Sequence, residues 1–245
     1  MNLTGNTILI TGGTSGIGLA LAKQLNMLNN KVIICGRRAE RLEEIRRVNA
    51  GIVTKVCDIA DAQQRVDLTE WIFQNYPEIN ILINNAGVQL HTDFLRTGDL
   101  ANIRKETEIN FIAPIHFIQL FTSYLSRKES AAIINISSGL AFVPLAVAAV
   151  YSATKAAIHS LTLSLRYQLR NTTIKVFEIV PPSVDTELGY EHREDKTSTH
   201  GGMDVNEFAS QVIDALQNDI YEAAIGTTAN LRAKPQEMFD VLNRW

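Results

Sequence analysis

The 245-residue chain is 46% hydrophobic and 20% charged, which is enough apolar material to bury the core of one large α/β domain. Its 23 basic and 26 acidic residues leave a formal charge of -3, which predicts neither a nucleic-acid partner nor a membrane-surface partner. The start, MNLTGNTILITGG, lacks the layout of a secretory signal, and the most apolar run, 139–150, is shorter than the ~20 residues of a spanning helix. We therefore expect a cytoplasmic protein.

Short β-branched runs alternate with longer amphipathic runs along the whole chain, a pattern typical of βαβ units around a parallel sheet. The runs predict seven strands, at 6–11, 31–35, 52–57, 80–84, 131–137, 174–180 and 222–225. Apolar stripes between them predict helices, including a long one over 100–125. The polar stretch 187–203 is long for a connection, and we interpret it as a substrate lid.

Cysteine and histidine placement indicates neither a disulfide scaffold nor a metal centre. Cys35 and Cys57 each lie beside a β-like run, which favours reduced core thiols, with a single redox pair between neighbouring strands as the alternative. The histidines show no metal-ligand cluster, so we predict no metal site; they are His91, His116, His159, His192 and His200. His91 either borders a substrate mouth or is an ordinary surface histidine.

A glycine-rich turn, TGGTSGIG at 11–18, connects the first predicted strand to a helix. It departs from the literal G-x-G-x-x-G pattern, but its glycines permit a tight turn, close approach of backbone N–H groups to a pyrophosphate, and close helix packing. The alternative is a turn that binds nothing. The predicted cofactor contacts in this turn are Gly12, Thr14, Ser15, Gly16, Ile17 and Gly18.

Two arginines at the end of the second predicted strand indicate which dinucleotide is bound. NAD sites usually carry an acidic residue here for the ribose hydroxyls, whereas the 2′-phosphate of NADP needs a cation. Arg37 and Arg38 suit a phosphate, and no carboxylate stands in the Gly36-Arg37-Arg38 sequence to repel it. The pattern favours NADP over NAD, although these residues could also be a solvated first turn of the next helix.

Polar and small residues end the third and fourth predicted strands. Asp58, followed by Ile59, would lie beside an adenine amino group, but Asp58 or Asp61 could equally cap the following helix. Asn85, Ala86 and Gly87 would let a ribose lie against backbone, and the alternative is an amide bridge between strand ends.

An acid–base group is predicted from Ser138, which ends the fifth strand, and from Tyr151 and Lys155, which are four apart and share one helical face. A nearby ammonium and a positive nicotinamide ring favour the phenolate, so Tyr151 could exchange a proton with a substrate oxygen that Ser138 holds. Asn110 could support a water between the helix backbone and Lys155, or lie on a solvated face.

Taken in order, TGGTSGIG, Asp58, NNAG, Asn110, Ser138 and YSATK resemble a classical short-chain dehydrogenase/reductase over residues 6–186. The resemblance implies a single-domain Rossmann fold, a doubly wound seven-stranded parallel sheet flanked by helices that spans 1–245. It also implies that Tyr151 is the acid/base, that Lys155 binds the nicotinamide ribose and lowers the Tyr151 pKa, that Ser138 orients substrate and that Asn110 holds the proton relay. Further implied cofactor contacts are Val184 and Thr186, in addition to Tyr151 and Lys155.

Two departures from the family pattern stand near the carboxyl terminus. Pro182 replaces the glycine of the usual Pro-Gly pair, which removes an N–H and fixes φ. The tail from 226 lacks the usual strand ending in Asp-Gly-Gly that helps many members form tetramers. Both features are similar to the DltE-like oxidoreductases, a subgroup of the family. We expect a homodimer built on the helices that begin near Leu100 and Val150.

These features predict an NADP(H)-dependent oxidoreductase that interconverts an alcohol and a carbonyl on a partly apolar small molecule. The alternative is a sensor or scaffold protein that binds NAD(P) without turnover. The apolar character of the substrate is inferred from a wall and lid that could instead be core or dimer interface: Leu140, Phe142, Val143, Leu145, Val147, Leu188 and Tyr190.

Overall fold

A computed structural model describes residues 1–95, 100–189 and 201–244. Its strands form one parallel sheet with the order β3-β2-β1-β4-β5-β6-β7. They are β1 (Thr7–Thr11), β2 (Lys31–Gly36), β3 (Ile52–Val56), β4 (Ile79–Asn84), β5 (Ala131–Ile136), β6 (Ile174–Val180) and β7 (Glu222–Ala224). The predicted fold class is confirmed, and each predicted strand end lies within one residue of the observed one.

Helices cover both faces of the sheet. They are α1 (Gly16–Met27), α2 (Ala39–Val48), α3 (Ala62–Asn75), α4 (Leu100–Thr107), α5 (Ala113–Leu125), α6 (Ala149–Gln168), α7 (Val205–Gln217), α8 (Thr228–Ala233) and α9 (Pro235–Leu242). The helix predicted over 100–125 spans α4 and α5, but a π-helical segment, Glu108–Ile112, joins them. Such segments are rare and often occur at functional sites.

Two apolar cores lie on the opposite faces of the sheet. Alternate residues of β1 enter different cores, with Ile8 and Ile10 on one side and Leu9 on the other. Phe208 of α7 belongs to the first core and Phe117 of α5 to the second. Because both faces are covered, the strands carry continuous apolar runs such as AAIINI in β5, in which every residue is buried.

The strand order places a crevice at the carboxyl ends of β1 and β4. From β1, the chain builds outward first through β2 and β3, and then in the other direction through β4 to β7. Connections leave to opposite sides at this switch point, which opens a ligand cleft in doubly wound sheets. The glycine-rich turn after β1 and the NNAG sequence after β4 both lie at this edge.

The chain after β7 forms two short helices that fold back over the sheet. Thr228 is fully buried and donates its hydroxyl hydrogen to the Val180 carbonyl at 3.0 Å. Asn243 bonds the backbone of Pro144 and Ala146. The tail therefore covers the segment that follows β5.

Most of the predicted lid, 190–200, lies outside the described residues. Val184, which precedes the predicted lid, forms a β-bridge with Met203, the last residue of the lid. None of the helices in the described ranges combines the length and the hydropathy that crossing a membrane requires.

Candidate active site

The glycine-rich turn packs closely against the end of β4. Gly12 has a φ of +68°, and a Cβ there would lie 2.7 Å from Ala86 Cα. A Cβ on Gly18 would lie 2.5 Å from the Gly12 carbonyl oxygen. Larger residues would push the turn, β4 and α1 apart, so close packing at this point requires glycine at both positions. The first N–H groups of α1 are held at the crevice, where they suit an anion.

Arg38 binds the glycine-rich turn through side chains. Its Nη2 donates to Thr14 Oγ1 at 2.8 Å and to Ser15 Oγ at 2.6 Å, and its Nε donates to Thr14 Oγ1 at 3.2 Å. Its Nη1 forms a 2.8 Å ion pair with Glu187, which also pairs with Arg41 at 2.5 Å. Arg37 is exposed. The turn, α2 and the start of the predicted lid thus meet at one guanidinium.

The polar residues that follow β3 and β4 have structural roles in the described chain. Asp61 caps α3 by accepting from the backbone N–H groups of Gln63 and Gln64, at 2.8 and 3.1 Å, whereas Asp58 accepts from Ala60 N–H. Of the two residues considered as the cap of α3, Asp61 is therefore the one that caps it.

The Asn85 side chain donates to the Thr11 carbonyl at 2.9 Å, which is the amide bridge between strand ends. Thr11 Oγ1 in turn accepts from the backbone N–H groups of Asn85 and Ala86. The bridge holds the NNAG backbone beside the glycine-rich turn.

The remaining predicted cofactor contacts differ in exposure. Ile59 and Val184 are buried, at 7% and 6% exposed, and Ile17 packs against the first core. The Thr186 side chain lies 3.2 Å from the position of a Cβ on Gly16, so the segment after β6 closes onto the glycine-rich turn.

Ser138, Tyr151 and Lys155 converge at the carboxyl end of β5. Tyr151 is 5% exposed and shares a hydrogen bond with the Ser138 side chain. Ser138 Oγ also accepts from Leu140 N–H, which orients it at the start of a 3-10 turn. Lys155 Nζ lies 5.5 Å from the centroid of the Tyr151 ring and donates to the Ile136 carbonyl at 2.9 Å. The predicted acid–base group is therefore assembled in three dimensions.

Burial controls the protonation of this group. It raises the pKa of Tyr151 to about 12, against the opposing effect of the Ser138 hydrogen bond and with a smaller raising effect from the charge of Glu106. It also lowers the pKa of Lys155 to about 8, although the negative charge of Glu178 raises it. Both shifts disfavour charge, so a phenolate here needs more positive charge than the protein supplies. A positive nicotinamide ring would supply this charge.

Asn110 lies in the π-helical segment and is 1% exposed, which excludes the solvated-face alternative. Its Oδ1 accepts from Val88 N–H at 2.9 Å, and its Nδ2 donates to the Val88 carbonyl and to Thr154 Oγ1. A Cβ on Gly87 would lie 3.4 Å from Asn110 Oδ1 and 3.7 Å from Lys155 Nζ. The segment thus joins the loop after β4 to α6, beside Lys155.

Two buried carboxylates near this group were not predicted from the sequence. Glu106 is 1% exposed and accepts from Leu90 N–H. Glu178 is fully buried, bonds His159 Nδ1 at 2.8 Å, and has no partner for its Oε1. A charged residue inside the apolar run VFEIV of β6 was the signal that could have identified Glu178.

His159 contributes to a group of potential metal-ligand atoms that the order of residues in the chain does not reveal. Its ring, Glu178 and Glu222 present potential ligand atoms within 4.8 Å of one another. Glu178 and Glu222 are register partners on β6 and β7, and His159 lies on α6. Spacing along the chain does not reveal a cluster drawn from three elements. Arg232 pairs with Glu222, so a cation of the protein already faces this cluster.

The predicted apolar wall is divided between core and surface. Val143 is fully buried, whereas Leu140 and Phe142 are half-buried and Leu188 is 38% exposed. The tail packs behind this wall, because a Cβ on Gly139 would lie 2.8 Å from both the Leu231 and Thr228 side chains. Tyr190 lies outside the described residues.

The chain has a doubly wound parallel sheet with a glycine-rich turn at its switch point, and a Ser–Tyr–Lys group lies at the neighbouring strand end. This combination defines an oxidoreductase of the short-chain type. The family model for the short chain dehydrogenase matches residues 6–197. The chain belongs to this family, which confirms the resemblance seen in its motifs.

Relatives extend this similarity over the whole chain. The chain is 46% identical over 243 residues to the uncharacterized oxidoreductase DltE of Bacillus subtilis, covering 99% of this chain and 96% of that protein. It is 32% identical to a probable NADP-dependent dehydrogenase of Haemophilus influenzae, covering 71% and 70% of the two chains. A short chain dehydrogenase from Burkholderia cenocepacia, solved in complex with NADP, is 27% identical with a TM-score of 0.83, covering 99% of each chain.

Proposed function

We propose that this protein transfers hydride between NADP(H) and an alcohol–carbonyl pair on a partly apolar small molecule, with Tyr151 as acid/base. The observation that carries the proposal is the convergence of Ser138, Tyr151 and Lys155 at one strand end. The glycine-rich turn and Arg38 fit a phosphorylated dinucleotide beside it. When bound, the nicotinamide supplies the hydride chemistry.

The side chains of the proposed site have separate tasks. In the reducing direction, Tyr151 donates its phenolic proton to the carbonyl oxygen, while the Ser138 hydroxyl donates a hydrogen bond to the same oxygen. The Lys155 ammonium stabilises the phenolate that remains, since it lies 5.5 Å from the ring centroid. Asn110 positions the loop after β4 and the start of a proton path that returns a proton to Tyr151 through Lys155.

The apolar part of the proposed substrate is supported by the half-buried side chains of Leu140 and Phe142, which lie in the segment just after Ser138. We also propose a homodimer in the cytoplasm. Exposed apolar residues on and beside α6 support it: Ile112, Leu163 and Tyr167 are 40%, 44% and 68% exposed.

Turnover is tested with the purified protein, NADPH and a panel of aldehydes and ketones, by following NADPH absorbance. We expect NADPH to be oxidised when one or more of these aldehydes or ketones is present. Tight NADPH binding with no oxidation across a broad panel would instead support a sensor or scaffold protein.

Arg38→Ala tests the cofactor. A guanidinium–phosphate hydrogen bond contributes about 1.5–3 kcal/mol, so the Kd for NADPH should rise about 10- to 100-fold. The Kd for NADH should change little, because NADH lacks the 2′-phosphate. Fluorescence titration measures both. The control is Arg46→Ala, because Arg46 is an exposed arginine of α2 that pairs with Glu43. Equal affinities of the wild-type protein for NADPH and NADH would contradict the assignment of NADP.

A further inference from the structure

Glu187 bridges two arginines at the proposed cofactor site. Its two carboxylate oxygens accept separately from Arg38 Nη1 at 2.8 Å and from Arg41 Nη1 at 2.5 Å. The same Arg38 holds Thr14 and Ser15 of the glycine-rich turn with its other nitrogens. A carboxylate therefore lies on the guanidinium that the proposed function assigns to the 2′-phosphate.

A carboxylate and a phosphate compete for this position because both are oxyanions that guanidinium groups bind strongly. Although burial acts to raise the pKa of Glu187, hydrogen bonds from Arg38 and Arg41 outweigh burial and lower the pKa, so the carboxylate is charged at neutral pH. A phosphate on Arg38 would meet this negative charge at close range. Since the three side chains are 36–43% exposed, their ion pairs are weak enough for a ligand to displace.

The chain position of Glu187 restricts where it can go. It directly follows Thr186, whose side chain contacts the glycine-rich turn at Gly16. Val184, three residues earlier than Glu187, is fixed by the β-bridge to Met203. The backbone that leads to Glu187 is therefore held beside the glycine-rich turn.

We propose that Glu187 determines cofactor specificity, because its carboxylate competes with the 2′-phosphate for Arg38 and Arg41 and so limits the preference for NADP(H) over NAD(H). This inference rests on the proposed use of NADP(H). Arg38 and Arg41 alone then do not set the preference for NADP(H). Glu187, which opposes them, lies 149 residues after Arg38 in the chain.

Glu187→Gln tests the inference by fluorescence titration of the full-length protein with NADPH and NADH. The amide keeps the size of the side chain and removes its charge. We expect the Kd for NADPH to fall about three- to fivefold, the scale of a partly exposed ion pair, while the Kd for NADH changes less than about twofold. The gain should shrink in 0.5 M salt, where charges at this exposure are screened.

Glu43→Gln is the matched control, because Glu43 pairs with Arg46 and Arg47 on the same α2 helix and lies outside the Arg38 contacts. It should leave both Kd values unchanged. An unchanged or raised Kd for NADPH in Glu187→Gln would overturn the inference. If wild-type protein prefers NADPH and Arg38→Ala weakens NADPH binding, the proposed cofactor stands and only the role of Glu187 is wrong. If wild-type protein shows no preference for NADPH, or if Arg38→Ala leaves the Kd for NADPH unchanged, the proposed cofactor itself fails.

Discussion

Tyr151→Phe is expected to lower kcat by about 10²–10⁴-fold, the usual contribution of a positioned acid–base group, on any carbonyl substrate found in the panel. The ring remains to fill the buried position beside Ser138 and Lys155, so the fold should survive. Only the phenolic hydroxyl is lost, with its exchangeable proton and its hydrogen bond to Ser138. The Kd for NADPH should stay within about threefold of the wild-type value, because the phenol acts on the substrate oxygen.

Steady-state kinetics and NADPH fluorescence measure these two quantities on the same preparation. Tyr167→Phe is a matched control, since Tyr167 lies on the same α6 helix and is 68% exposed. It should behave as wild type. Turnover that persists in Tyr151→Phe would show that another group transfers the proton.

Lys155→Met is expected to abolish most activity and, at neutral pH, to stabilise the fold. Lys155 is 4% exposed and its pKa falls from 10.5 to about 8. Burial of the charged ammonium therefore lowers the free energy of unfolding by about 3 kcal/mol at pH 7. The variant also loses the hydrogen bond to the Ile136 carbonyl, which reduces its gain in stability by about 1 kcal/mol. Loss of the charge that faces buried Glu178 reduces the gain further, so we expect a net gain of about 1 kcal/mol.

The pH dependence separates this effect from simple repacking. Between pH 8 and 10.5, the unfolded wild-type chain binds the Lys155 proton and the folded chain releases it, so wild-type stability rises with pH relative to the variant. The advantage of Lys155→Met should therefore shrink or reverse by pH 10. Tyr151, whose pKa rises from 10.0 to about 12 on folding, lowers the stability of both proteins as the pH approaches 10, so its effect cancels in the comparison of wild type with variant.

Urea unfolding at pH 7 and pH 10 measures the difference. Lys175→Met is the control, because Lys175 is partly exposed and pairs with Asp219. It should give no stabilisation at pH 7. A Lys155→Met variant whose stability relative to wild type is the same at both pH values would contradict the buried-ammonium explanation.

The glycine-rich turn and the acid–base group differ in how much of each the sequence could predict. The sequence predicted that the glycines between the first strand and helix permit a tight turn and close packing, and the structure places Gly12 against Ala86 and Gly18 against the Gly12 carbonyl. Tyr151 and Lys155 were paired from their four-residue spacing, which α6 realises directly. Their pKa shifts could not be predicted in the same way, because burial depends on the elements packed around α6.

Seven strands, the family and the residues that meet at the strand ends could all be predicted from the sequence. These features follow from short-range periodicity and local motifs, each of which involves only a few neighbouring residues. Three contacts became visible only in the folded chain: Glu187 faces Arg38, Glu178 faces His159, and the tail packs behind Ser138 at Gly139. Each of these contacts joins segments distant in the chain. Their energy comes from charges and packing that exist only after the sheet has brought the segments together.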